Sequence, residues 1–237
     1  MTHTNERNLS ATRLVASTFG VLVGIFGMEH GFFEMLQGNV LPTEAPLGLP
    51  IDLLGFGFVI DAIGSGHEFW SGASEPAFTI IPNFLITGIL AMIVGGVIVI
   101  WSLVFIEKKF GARIFFLLCI VLFLVGGGSP PLVNGIIASL VATRINKPLN
   151  WWRTNISEDF QEMIAKLWPW SIICVVFFSL LGVEIAIFGI PFIWVLNLDQ
   201  MTILLLGIGN FTTLLTILTV ITAFSHDIQN QSFIIQD

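Results

Sequence analysis

The run Gly126-Gly127-Gly128-Ser129-Pro130-Pro131 interrupts an apolar region that extends from Arg113 to Thr143. No α-helix passes through it without losing hydrogen bonds and incurring ring clashes. Each flank, 113–125 and 131–143, has 13 residues, roughly 20 Å as helix and short of the ~30 Å hydrocarbon thickness. The flanks therefore form either two short spans or a re-entrant hairpin, and both return the chain to the side it came from. A single kinked span would strand Arg144, Lys147, Arg153 and Lys166 on the far side from Arg7, Arg13, Lys108, Lys109 and Arg113. The return puts all nine basic residues on one side, which positive charge near span ends marks as cytoplasmic.

Working outward, 237 residues with 55% apolar and 11% charged residues and a mean hydropathy of +0.91 lie far from a soluble domain. They imply one integral membrane domain, residues 1–237. A formal charge of −7, with its acids in loops, argues against a nucleic-acid partner. Cys119 and Cys174 fall inside predicted spans as apolar thiols, and no CxxC spacing suggests redox or metal chemistry.

Span one is predicted over Arg13–Gln37. Its apolar stretch Leu14–Phe33 lacks a small-residue cleavage site and reads as a retained signal anchor. The loop 38–75 carries Glu44, Asp52, Asp61, Glu68 and Glu75 but no Lys or Arg, so it is placed outside. Span two is expected to begin after Ser74-Glu75-Pro76, a hydroxyl, an acid and a proline suited to a helix N-terminus, and to end at Trp101–Glu107. Lys108–Arg113 turns in the cytoplasm. The segment 144–167 is read as a cytoplasmic amphipathic helix on the membrane surface, with Ile156, Phe160, Met163, Ile164 and Leu167 on one face and Asn155 and Glu158 as a capping box. Trp168 and Trp170 open the next span, Trp194 closes it, and Trp101, Trp151 and Trp152 join the inner aromatic belt. The last span is Met201–Phe224. The expected fold is all-α: a polytopic helical protein of the cell inner (plasma) membrane, with about six membrane-embedded segments including the Gly-Pro-broken pair, and both termini cytoplasmic.

Ionisable groups inside spans are costly to desolvate and are functional candidates by default. Span one holds Glu29, His30 and Glu34. His30 and Glu34 are four apart and share a face, so the carboxylate can orient or charge the imidazole, or both can bind one cation. Gly20, Gly24, Gly27 and Gly31 form a small-residue seam on the same helix. Asn83, Asn134 and Glu184 fall at comparable depth in other spans, and Gly209, Asn210, Thr212, Thr216 and Thr219 add a polar stripe nearer mid-membrane. The ligand-binding candidates are His30, Glu34, Asn83, Asn134 and Glu184, lining an outward-open polar pocket. The alternative is a set of separate interhelical hydrogen bonds. The apolar stretch Ile51–Ile63, punctuated by Asp52 and Asp61, is expected to fold back over the spans, and the geometry then permits a lid that carries His67 and Glu68 above the first pair. His30, Glu34 and His67 are thus the weak metal candidates, without an HExxH spacing. His226 reads as interfacial.

No phosphate-binding loop, GxSxG elbow or tyrosine is present, so no catalytic residue is assigned and no cofactor is identified. The strings GMEHGFFEMLQGN (Gly27 to Asn39), SEPAFTIIPNFLITGILA (Ser74 to Ala91), VGGGSPPLVNGI (Val125 to Ile136) and TRINKPLNWWR (Thr143 to Arg153) together resemble a family of uncharacterised prokaryotic multispanning membrane proteins. That resemblance implies a shared fold of hydrophobic helices and carries no assigned activity. GMEHGFF is also similar to the first helix of small DoxX-like membrane proteins, which have four spans. Three functions follow as expectations: a small permease or solute- or ion-binding membrane subunit, an outward-facing enzyme acting on a lipid or quinone, and a non-catalytic subunit of a membrane complex. The expected partners are membrane lipids and either a second copy or a larger assembly.

Overall fold

A helix needs its first N–H groups satisfied, and α1 (Ala11–Gln37) receives them from two sides. Ser10 accepts from the Arg13 N–H, while Asp227, far along the chain, accepts from Ala11 N at 2.7 Å and Thr12 N at 2.9 Å. A carboxylate here also meets the positive end of the helix dipole. The computed structural model describes residues 10–40, 57–63, 75–188 and 198–236. Within them α1 is followed by strands β1 (Phe58–Ile63) and β2 (Glu75–Thr79), then α2 (Phe84–Val104), α3 (Gly111–Leu124), α4 (Ser129–Ala142), α5 (Asn150–Asn155), α6 (Glu158–Ala165), α7 (Trp168–Phe188) and α8 (Leu198–Gln236). Among the described residues four helices are long and apolar enough to cross a membrane: α1, α2, α7 and the Ile203–Asn230 part of α8. Helices of this length and hydropathy suit a membrane protein, and the two strands form only a small antiparallel pair.

α1 is central, packing on α2, α4, α8 and β1. Its glycine seam divides. Gly20, Gly24 and Gly31 face Ser102, Gly95 and Gly88 of α2, whereas Gly27 faces the Leu122 side chain of α3. Backbone-to-backbone approach at small residues is how helices associate where lipid is the solvent.

Span two does not begin at Ser74-Glu75-Pro76. Glu75–Thr79 pairs with Phe58–Ile63 as a strand, and α2 starts at Phe84, capped by Asn83, whose side chain accepts from Ile86 N at 3.0 Å. Pro82 explains the difference: in a helix begun at Pro76 it would fall past the first turn, where its ring clashes and its missing N–H breaks the ladder. A strong capping residue directly after it restarts the chain as helix.

α3 and α4 have 14 residues each, roughly 21 Å, and are separated by Val125–Gly128, with Gly126 at φ +92 and Gly128 at φ +80. α4 runs back along α3, so that a Cβ on Gly135 would lie 2.6 Å from Cys119 Sγ. The turn is stitched to β2 by backbone bonds, Gly126 N to Phe78 O at 3.0 Å and Ile80 N to Leu124 O at 2.9 Å.

The capping box expected at Asn155 and Glu158 is not formed. Asn155 ends α5 and donates to Trp151 O at 2.8 Å, extended Ile156 breaks the path, and Ser157 precedes α6. The single apolar face also divides: Ile164 is buried against the core, while Phe160, Met163 and Leu167 are exposed. The reason is α8, which runs well past Phe224 and packs on α6 and on the start of α1. Arg13 pairs with Glu107 at 3.1 Å, Trp152 donates to Ser225, and residues 106–113 and 142–147 meet around one cavity. These contacts gather Arg13, Lys108, Lys109, Arg113, Arg144, Lys147, Arg153 and Lys166 at one end of the bundle. Arg7 lies outside the described residues. α7 and α8 are peripheral, and Ile173, Phe177, Ile203, Leu206 and Leu214 are exposed along them, an apolar surface suited to lipid rather than water.

Candidate functional site

His30 and Glu34 lie one turn apart on the same face of α1, and both are buried. The His30 Nδ1–H donates to Phe26 O at 2.8 Å; a carbonyl can only accept, so in the neutral ring this bond assigns the hydrogen to Nδ1 and the basic lone pair to Nε2. The turn between α3 and α4 lies directly over the pair. A Cβ on Gly128 would stand 2.5 Å from His30 Nε2, and one on Gly126 would collide with Glu34 Oε1 and lie 2.6 Å from Oε2. A Cβ at either place would force the buried carboxylate or ring to shift, and the positive φ of both positions already favours glycine. Both Glu34 oxygens are buried without a hydrogen-bond partner among the described residues.

A hydroxyl network holds this turn in place. Thr87 Oγ1 on α2 donates to Val125 O at 2.6 Å and bonds Thr79 Oγ1 at 2.7 Å, all inside the core where an unmade bond is expensive. The β hairpin covers the same region, with Ile60 fully buried.

Beside His30 a cavity of about 460 Å³ opens among α1, α4, α7 and α8. Its wall is largely apolar, from Phe26, Pro130, Ile137, Phe178 and Ile208, with polar atoms from Ser129, Asn134, Ser179, Thr212 and Thr213. Thr212 Oγ1 is buried there without a hydrogen-bond partner among the described residues. Val133, Gly209 and Thr213 belong to the wall and are exposed, so they form its rim. That rim lies on helix flanks.

Of the five ligand candidates, the structure brings His30 and Asn134 into the cavity wall, with Glu34 beside them beneath the glycine turn. Asn83 is not in the wall: it caps α2 and donates to Asn39 Oδ1 at 2.7 Å. Glu184 is exposed on α7 and also lies outside the wall. In the polar stripe of α8, Gly209, Thr212 and Thr216 face the cavity and Asn210 does not. Phe178, Ser179 and Gly182 of α7 are further wall residues, none of them ionisable or an amide. Their signal in the sequence was two small residues three apart, Ser179 and Gly182, which let α8 approach until a Gly182 Cβ would be 3.1 Å from Ile208. Among the described residues no group of three or more His, Cys, Asp or Glu side chains is placed to hold a metal ion. His67 and Glu68, and residues 51–56 of the expected lid, lie outside the described residues.

Compared with protein families, curated proteins and solved structures, the chain has no match in any of the three.

Proposed function

We propose that this chain is a small permease, or a solute-binding subunit, of the cell inner (plasma) membrane, with the cavity beside His30 as its solute site. In this reading α1, α2, α7 and α8 cross the bilayer, α3 and α4 enter and return as a broken pair, and the basic end with both termini faces the cytoplasm. The observation that carries it is the cavity: about 460 Å³, within the range of small-molecule sites, largely apolar, with one titratable side chain and a few hydroxyl and amide groups in its wall. Such a wall suits a small organic solute with one or two hydrogen-bonding groups. His30, tethered through Nδ1, presents a fixed ring to it.

The test uses Gly209, which lies on the rim and where an added Cβ meets nothing within 4 Å. Gly209→Phe therefore adds bulk at the mouth without a clash at its own Cβ. Purified protein is screened by thermal unfolding against small organic acids, amines and zwitterions. A hit at a hundredfold excess over Kd stabilises by about 2.7 kcal/mol, is lost in Gly209→Phe, and survives in Glu184→Gln. A screen without hits, or a hit indifferent to Gly209→Phe, removes the proposal.

A second reading is supported by the rim. An opening on helix flanks admits a ligand dissolved in the bilayer, which favours a lipid- or quinone-acting enzyme with His30 as its acid–base group. Mass spectrometry separates the two: a lipid or quinone that co-purifies with the wild type and not with Gly209→Phe supports the enzyme.

A further inference from the structure

At the basic end a second cavity, of about 390 Å³, lies between the α2–α3 turn and the chain after α4. Lys108, Lys109, Arg113 and Lys147 line it, with Glu107 as its acid. Glu107 is already engaged by Arg13 at 3.1 Å. Among the described residues none of the four cations has an acid within ion-pair distance. Like charges around one concavity repel each other and focus a positive potential in it, which an anion relieves.

Phe110 sits in the middle of this set in the left-handed region, φ 68 and ψ 4, where a bulky side chain is rare. The turn holds it there, because Gly111 packs so closely on the Phe105 and Ile106 carbonyls that no Cβ fits, and Trp101 Nε1 donates to Gly111 O at 3.0 Å. The exposed ring has Lys109 Nζ 5.3 Å and Arg113 Cζ 5.6 Å from its centroid. Aromatic and basic groups are thus presented together. Close in sequence to the lining residues Arg113 and Ala142, Ile114 and Leu117 of α3 and Leu140 of α4 are exposed apolar side chains, and with α3 and α4 packed together they offer an adjoining apolar surface.

We propose that this cavity binds the phosphate of an anionic phospholipid, with the acyl chains against α3 and α4. Charge complementarity selects a phosphate, and the adjoining apolar surface selects one carrying acyl chains over free inorganic phosphate. Basic pockets between membrane helices are suited to such headgroups. The site is separate from the cavity beside His30 and does not depend on the function proposed for it.

The full-length protein in detergent is incubated with phosphatidylglycerol, with phosphatidylcholine of the same chains, or with inorganic phosphate, and examined by native mass spectrometry. Phosphatidylglycerol is retained in preference to phosphatidylcholine, and inorganic phosphate does not displace it. The combined variant Lys109→Gln, Arg113→Gln and Lys147→Gln weakens retention by roughly a hundredfold. Lys166→Gln, whose ammonium is paired with Glu162 at 2.9 Å on α6, leaves retention unchanged. Equal retention of the two lipids, displacement by inorganic phosphate, or equal loss in Lys166→Gln overturns the proposal. If the combined variant does not fold, a photoactivatable phosphatidylglycerol on the wild type decides: cross-links in 105–117 and 140–147 uphold the site, and cross-links elsewhere remove it.

Discussion

Gly24 of α1 and Gly95 of α2 face each other reciprocally: a Cβ added to either would lie 2.6 Å from the other's carbonyl oxygen. Both obstacles are backbone, which cannot swing aside as a side chain does. Gly95→Ala is therefore expected to push the two central helices apart at a cost of about 2–3 kcal/mol. The neighbouring Gly96→Ala meets nothing within 4 Å and is expected to be neutral or stabilising by up to ~1 kcal/mol through helix propensity. Thermal unfolding of the two variants in the same detergent checks the contrast.

Gly126 carries two constraints, a positive φ and contact with the Glu34 carboxylate, whereas Gly38 at φ +86 has only the first, with nothing within 4 Å. Gly38→Ala is expected to cost about 1–3 kcal/mol in backbone strain, and Gly126→Ala visibly more. Pairing Gly126→Ala with Glu34→Ala should recover the collision but not the strain. A double-mutant cycle measures this, and simple additivity would mean that the two residues do not press on each other.

Asp227 caps α1 from the far end of the sequence. Asp227→Ala removes both acceptors and the charge at the helix dipole, an expected loss of about 1–2 kcal/mol. Asp227→Asn keeps one oxygen and should lose less. Hydrogen exchange at Ala11 and Thr12 is the local readout, and unchanged protection in Asp227→Ala would show the cap to be idle.

Thr87 and Thr212 are both buried or half-buried threonines, with opposite expectations. Thr87→Val removes the donor to Val125 O and one of the bonds of Thr79 Oγ1, which keeps Ile81, and should destabilise the α3–α4 turn by about 1–3 kcal/mol, seen as faster exchange at Gly126.

Thr212→Val deletes a hydroxyl that makes no hydrogen bond among the described residues, so the unfolding midpoint should hold or rise. Binding of a solute found in the thermal screen should weaken by about 1 kcal/mol, roughly fivefold. A stability loss in Thr212→Val would place that hydroxyl in the packing instead of the site.

Much was legible in the residues alone, for a local reason in each case. Long apolar runs announce helices long enough to cross a bilayer, three glycines and two prolines announce a break, and spacing by four puts His30 and Glu34 on one face. The limits are equally physical. Ser74-Glu75-Pro76 reads as a helix start because capping chemistry is short-ranged, while the strand it joins is set by a partner at 58–63 and by Pro82 downstream. Asn83 in isolation is as good a ligand as a cap, and only its position before Phe84 decides between them.

The sequence by itself determined an all-helical chain with helices long and apolar enough to cross a membrane and a His–Glu pair on one face of the first, since hydropathy and periodicity are properties of neighbouring residues. The tertiary structure alone decided that Gly126 and Gly128 cover that pair, that Asp227 closes the start of α1, and that α7 and α8 complete a cavity beside His30. These are contacts between residues about 90 to more than 200 positions apart, and such contacts depend on how whole helices pack, which no local pattern encodes.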